Sequence, residues 1–157
     1  MKTSKLLLGV VAAAFACVAS AQDKRPDYGP SVTITQAKKA AAAVIAECTK
    51  NGWNVAVAVV DPYGGLVYFE RMENTQHASL EIAIGKARAA ATYRRPTRVF
   101  MDTINKGSPA MATLPGVVAS PGGVPLMVDG KVIGATGVSG VTGDQDEQCS
   151  KAGLGAS

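Results

Sequence analysis

The chain has 157 residues, with 16 Lys and Arg against 12 Asp and Glu, one His and three Cys. It is 47% hydrophobic and 18% charged, a balance that excludes a disordered polyelectrolyte and fits a globular domain. The basic excess is small and has no aromatic residues interleaved with it, which argues against nucleic-acid binding.

Lys2 and Lys5 form a positive n-region, residues 6–18 an apolar run, and Ala19-Ser20-Ala21 a small-x-small step. That order is a secretory leader of residues 1–21, cleaved after Ala21, and its apolar run is too short for a membrane span. Removing 21 residues from 157 leaves 136, without a membrane span. The leader takes two of the 16 basic residues and no acid, so the mature net charge falls to about +2. A periplasmic or secreted location follows. Cys48 and Cys149 remain, and in an exported protein they invite a disulfide; one buried thiol and one exposed thiol is the alternative.

Residues 22–30, with Pro26 and Pro30, read as an extended arm before a single domain over 31–157. Thr35 is placed to cap a helix over 36–50, whose residues Ala37, Ala41, Val44, Ile45 and Cys48 share a face. Asn51-Gly52 ends it. Residues 54–60 form a strand apolar at nearly every position, hence covered on both sides. Asp61-Pro62-Tyr63-Gly64-Gly65 turns the chain into a strand over 66–71. A helix over 78–92 follows, with Ile82, Ala83, Lys86, Ala87 and Ala90 at helical spacing. Thr97 can cap a short helix over 98–105. Residues 108–120 form a long connection with Pro109, Pro115 and Gly116, the kind of segment that often carries binding loops. Two apolar runs, 124–128 and 131–138, are joined by Asp129-Gly130, the signature of a type I′ hairpin. Residues 144–153 close the chain as a helix. Two hairpins among four helices predict an α+β fold with a mainly antiparallel sheet.

Glycines 122, 123, 134, 137 and 140 flank or interrupt the last hairpin. Glycine in a strand marks a bulge or a close approach, so this hairpin is expected to wall a pocket or a subunit interface.

Three blocks carry a family resemblance: VAVVDPYGGLVYFERM at 57–72, ASLEIAIGKARAA at 78–90, and PGGVPLMVDGKVIGATGVSG at 121–140, with DQDE at 144–147. Together they resemble the GlcG/HbpS-like family, which includes the C-terminal domain of PduO proteins. The resemblance implies a profilin-like fold with a central antiparallel sheet, homo-oligomer formation, haem binding in some members, and in the HbpS branch extracellular haem sensing with a sensor-kinase partner. GlcG is named for a glycolate-utilisation operon.

His77, the one histidine, is either a surface residue near a helix N-terminus or the leading candidate haem ligand, with Met72, Tyr63 and Tyr93 as weaker ligand candidates. Arg71 and Lys86 lie inside the family-like blocks and suit a propionate or another small anionic ligand. Gly122-Gly123 can offer backbone N–H groups to an anion. Glu70-x-x-Glu73 and Asp144-x-x-Glu147 match the spacing of surface iron-binding motifs in the HbpS branch, and oxygen ligands suit a hard cation. Asp144 and Glu147 also read as a helix-capping pair, which leaves Glu70 and Glu73 as the iron candidates. Ser139 lacks a nucleophile elbow, and the cysteines lack zinc spacing, so hydrolase and zinc readings fall away. Three readings remain: an exported haem- or porphyrin-binding protein without turnover, for sensing or storage; an accessory protein or enzyme acting on a small carboxylate or hydroxy acid; and a non-catalytic partner of a sensor or exported enzyme. The first is preferred, with its pocket expected between the second helix and the glycine-flanked hairpin.

Overall fold

A computed structural model describes residues 25–156. The predicted leader lies outside the described residues. The first helix, α1 (Ile34–Lys50), precedes a hairpin of β1 (Ala56–Val60) and β2 (Leu66–Arg71). Two helices follow, α2 (Ser79–Tyr93) and α3 (Arg98–Asn105), then a 3-10 turn at Pro109–Thr113. A second hairpin, β3 (Gly123–Val128) and β4 (Lys131–Ser139), leads to α4 (Gly143–Ala152) and a final 3-10 turn, Gly153–Ala156. The four strands pair antiparallel throughout in the order β2-β1-β4-β3, which is the expected α+β architecture. Among the described residues no helix is long and apolar enough to cross a membrane.

β1 is buried along its whole length, and its period-two alternation splits it between two cores. Val57 and Val59 face Ala37, Ala40, Ala41 and Val44 of α1 and Cys149 of α4. Ala56 and Ala58 face Ala83, Ala87, Ala90 and Ala91 of α2. Val57 and Val59 on one side, and Ala56 and Ala58 with Val60 at the strand end on the other, set two different layer spacings, and the alanines let the α2 backbone approach the sheet closely.

The glycines of the last hairpin complete that close approach. A Cβ on Gly137 would land on the carbonyl of Ala83 and the amide of Ala87, and one on Gly123 would land on the carbonyl of Lys86. Gly123 and Gly137 are cross-strand partners, so α2 rests its backbone on a glycine pair. The seam between the second helix and this hairpin, expected to hold a pocket, is therefore filled by the helix itself. Gly134 and Gly140 meet backbone at Val60 and at Asn54 and Val55. Gly137→Ala should lower stability by about 1–3 kcal/mol through overpacking. Gly155→Ala, with open space around it, should stay within about 0.5 kcal/mol of the parent. Urea denaturation of the two variants checks the contrast.

Turns and caps follow local chemistry, with corrections. Asp129 and Gly130 have φ of 49° and 72°, as a type I′ turn needs. Asp61 Oδ1 accepts from the amides of Tyr63 and Gly65, each at 2.8 Å, and fixes the first hairpin turn. α1 begins two residues before its expected start, because Thr33 and not Thr35 caps it. The Gln36 amide donates to Thr33 Oγ1, and the Thr33 amide donates to Gln36 Oε1, a reciprocal box that satisfies two amides at once. Thr142 and Gln145 do the same for α4. Asp144 and Glu147, expected as the capping pair, instead accept from Arg98 of α3. Thr97 does not cap α3. Its hydroxyl donates to the Ser120 carbonyl at 2.7 Å and accepts from the Gly123 amide at 2.9 Å, tying the long connection to β3.

The N-terminal segment is docked. β1 pairs with β4 only as far as Ala135, and the arm occupies the β4 edge beyond. The Val132 amide donates to Asp27, and the Gly29 and Val32 amides donate to Val132 and Ile133. Tyr28 donates to the Thr92 carbonyl and lies under the Arg94 guanidinium.

Candidate functional site

Five of the candidate residues named from sequence fall into two groups. Lys86, Gly122 and Gly123 gather inside the molecule. The Lys86 ammonium donates to Asp146 Oδ2 at 2.8 Å and to the Val138 carbonyl at 3.1 Å. Both side chains of this ion pair are 3% exposed or less. Burial pushes the Asp146 carboxyl above its usual range, against the pull of Lys86 and of the Val141 and Gly140 amides. A Cβ on Gly122 would sit 3.0 Å from Lys86 Nζ. The Gly122 carbonyl accepts from Val138, and the Gly123 amide is taken by Thr97. These groups serve the join between α2, the hairpin and α4, with the Lys86 ammonium, the Gly122 carbonyl and the Gly123 amide engaged within it. Ser139 is buried here too, donating to Ser79.

Arg71 and His77 form the second group, at the outer corner where β2 meets the loop before α2. Arg71 Nη1 stands 3.3 Å from His77 Nδ1, and both side chains are exposed. Register explains the placement. Arg71 pairs with Ala56 and Phe69 with Ala58, and both alanines face α2, so Phe69 and Arg71 share that face. α2 packs on β4, β1 and β3 and scarcely reaches β2, which leaves this part of the sheet without a helical cover. Phe69 and Ile84 lie half-buried at the margin. The result is a shelf with an apolar floor, a guanidinium and an imidazole.

Glu70 points to the other face, opposite Val57, and its carboxylate accepts from the Tyr68 hydroxyl at 2.9 Å. That hydrogen bond, together with burial and the carboxylate charge, pushes the Tyr68 phenol up. Glu73 is exposed in the loop. Among the described residues no three His, Cys, Asp or Glu side chains converge as a metal set. Of the weaker candidates, Met72 packs against the α1-side core. Tyr93 donates to Pro115 and meets Phe100 edge-on, while Tyr63 is 80% exposed at a turn apex.

The corner sets an aromatic side chain beside a guanidinium, which can pair with an anion, and an imidazole, which can ligate a metal. Phe69 and Ile84 went unnoticed in the sequence, although alternation across β2 ties Phe69 to Arg71. Asp146 also went unnoticed; only a lysine set in an alanine stripe hinted that a buried partner was required.

These features define an α+β protein with one sheet face tightly sealed and one edge strand left open. The sequence matches the family described as haem degrading protein HbpS-like over residues 32–155, and the chain belongs to that family. It is 42% identical to protein GlcG of Escherichia coli K12 over 103 residues, covering 63% of this chain and 77% of GlcG. A crystal structure of a double mutant of Streptomyces reticuli HbpS superposes with a TM-score of 0.75 at 29% identity, covering 93% of this chain and 97% of that one. A PduOC:heme complex superposes at 0.73 and 24% identity, covering 81% and 95%, a likeness in fold.

Proposed function

We propose that this protein is an exported haem-binding protein that holds haem on the open face of β2, for sensing or storage. The observation that carries the reading is the Arg71–His77 corner beside Phe69 and Ile84, in a chain of the HbpS-like family. Export is supported by the leader-like residues 1–21 and by the paired Cys48 and Cys149. Assembly into a homo-oligomer and contact with a sensor kinase belong to the same reading by analogy with HbpS. Iron held by Glu70 and Glu73 has less support, since Glu70 is engaged by Tyr68.

When bound, haem would supply the iron and the two carboxylates. His77 would offer its imidazole to the metal, Arg71 would pair with a carboxylate, and Phe69 with Ile84 would exclude water from one side of the ring. Haemin titrated into the purified protein should give a saturable Soret change. His77→Ala should lose the imidazole-type spectrum and weaken binding about tenfold or more, the effect of about 1.4 kcal/mol or greater. Absence of a saturable change would sink the reading. Thermal stabilisation by glycolate without any by haemin would favour the small-carboxylate alternative.

A further inference from the structure

We propose that Arg71 is a carboxylate-operated latch on His77, so that the imidazole becomes available to a metal only when a ligand carboxylate draws Arg71 away. The selection of a tetrapyrrole rests on the haem reading above; the latch itself does not.

A guanidinium has donors and no acceptor. In the 3.3 Å contact Arg71 Nη1–H therefore donates and His77 Nδ1 accepts. The ring is then neutral, with its proton on Nε2. Neither nitrogen is open to a cation in this state: Nε2 carries hydrogen, and the lone pair of Nδ1 is occupied by a group bearing positive charge. A carboxylate changes the balance. Its two oxygens match the guanidinium fork, and such a charge-assisted pair is stronger than a single N–H···N contact to a neutral ring. Arg71 is exposed at the strand end, so its side chain can turn from the ring to the carboxylate. The Nδ1 lone pair is then free, with no bond made or broken in the protein.

The intervening loop bears costs consistent with a functional placement. Asn74 holds a φ of 59°, and Thr75 Oγ1 is, among the described residues, a buried side-chain polar atom without a hydrogen-bond partner. Strained and unsatisfied groups persist where the surrounding structure imposes them. The loop's far end is fixed, because the His77 carbonyl accepts from the Leu80 amide as α2 begins.

The latch makes the site selective for ligands carrying both a metal and a free carboxylate. The sequence has one histidine, so 15N NMR of the tag-free protein reads this ring alone. At about pH 8, where an imidazole in water is neutral, the protein without haem should show Nε2–H with Nδ1 as acceptor. Arg71→Ala should shift the ring toward the mixed tautomers of a free imidazole. Sodium propionate, as the carboxylate probe, should move the parent spectrum toward that of Arg71→Ala and leave the variant unchanged. Identical tautomer populations in parent and variant, or no response of the parent to propionate, would overturn the latch. In a second arm, haemin should bind the parent with imidazole ligation about tenfold or more tighter than its dimethyl ester. Arg71→Ala should narrow that ratio by raising ligation of the ester. An unchanged ratio would overturn the latch; no binding of haemin at all would overturn the haem reading and leave the NMR arm to decide the latch.

Discussion

Replacing Lys86 with Met should lower stability by about 3–5 kcal/mol at pH 7, the usual consequence of leaving a buried charge without its partner. Methionine keeps most of the lysine stem, so the lost volume is small. What is lost is the ammonium that meets Asp146 at 2.8 Å, deep between α2, β4 and α4. Burial already raises the Asp146 carboxyl in the parent while Lys86 pulls it down; without the ammonium it rises further. A carboxyl with a folded-state pKa above its unfolded value binds more protons folded than unfolded across the interval between the two. Stability therefore falls as pH rises through that interval and recovers as pH drops toward the ordinary aspartate range. The Lys86→Met deficit should thus be smaller near pH 4.5 than at pH 7, and Lys86→Met with Asp146→Asn should recover at least half of it. Urea denaturation of parent, single and double variants at the two pH values tests this. An equal deficit at both would assign the loss to packing instead of charge.

That pair also marks where sequence reasoning stops. The elements were legible because each carries its own period and punctuation: the bounds of β2 and α3 coincide with their predicted spans, and Asp129-Gly130 turns as its residue types require. The helix starts were partly legible. Thr33-x-x-Gln36 and Thr142-x-x-Gln145 are capping boxes written in the sequence, yet Thr35 and Asp144 are equally good cap residues in isolation, and reciprocity decides between them. Lys86 stood out as a cation in an alanine stripe, but Asp146 lies 60 residues away with no local sign of the pairing. The glycines announced a close approach without saying by what. For Gly123 and Gly137 the answer is the α2 backbone, which depends on alanines from β1 and α2 meeting across a layer, while Gly134 and Gly140 meet backbone at Val60 and at Asn54 and Val55. At the site, Arg71 and His77 were each visible as a residue type. Their contact depends on the loop between them, and the shelf depends on α2 stopping short of β2, a consequence of packing that no local period encodes.

Breaking the Cys48–Cys149 link should cost about 2–5 kcal/mol, with chain entropy placing a closed loop of this length near the upper end. The two residues are 101 apart in sequence and 5.6 Å apart at Cα. They join α1 to α4, the two helices that cover one face of the sheet, so the link closes nearly the whole fold between its first and last helices. Cys48→Ala with Cys149→Ala should lower the urea midpoint substantially, and reduced parent protein should match the double variant closely. Both cysteines are fully buried, so dithiothreitol should reduce them slowly in water and rapidly once urea opens the α1–α4 seam; fast reduction of the native protein would show that the seam opens on its own. The same measurement bears on location. A link of this weight survives in an oxidising compartment and is lost in a reducing one, so a protein working in the cytosol would have to retain its fold at the reduced stability. If the reduced form melts below physiological temperature, the exported reading is strengthened by a property of the folded chain that is independent of its leader; if reduction changes stability by less than about 1 kcal/mol, the link carries no argument for export.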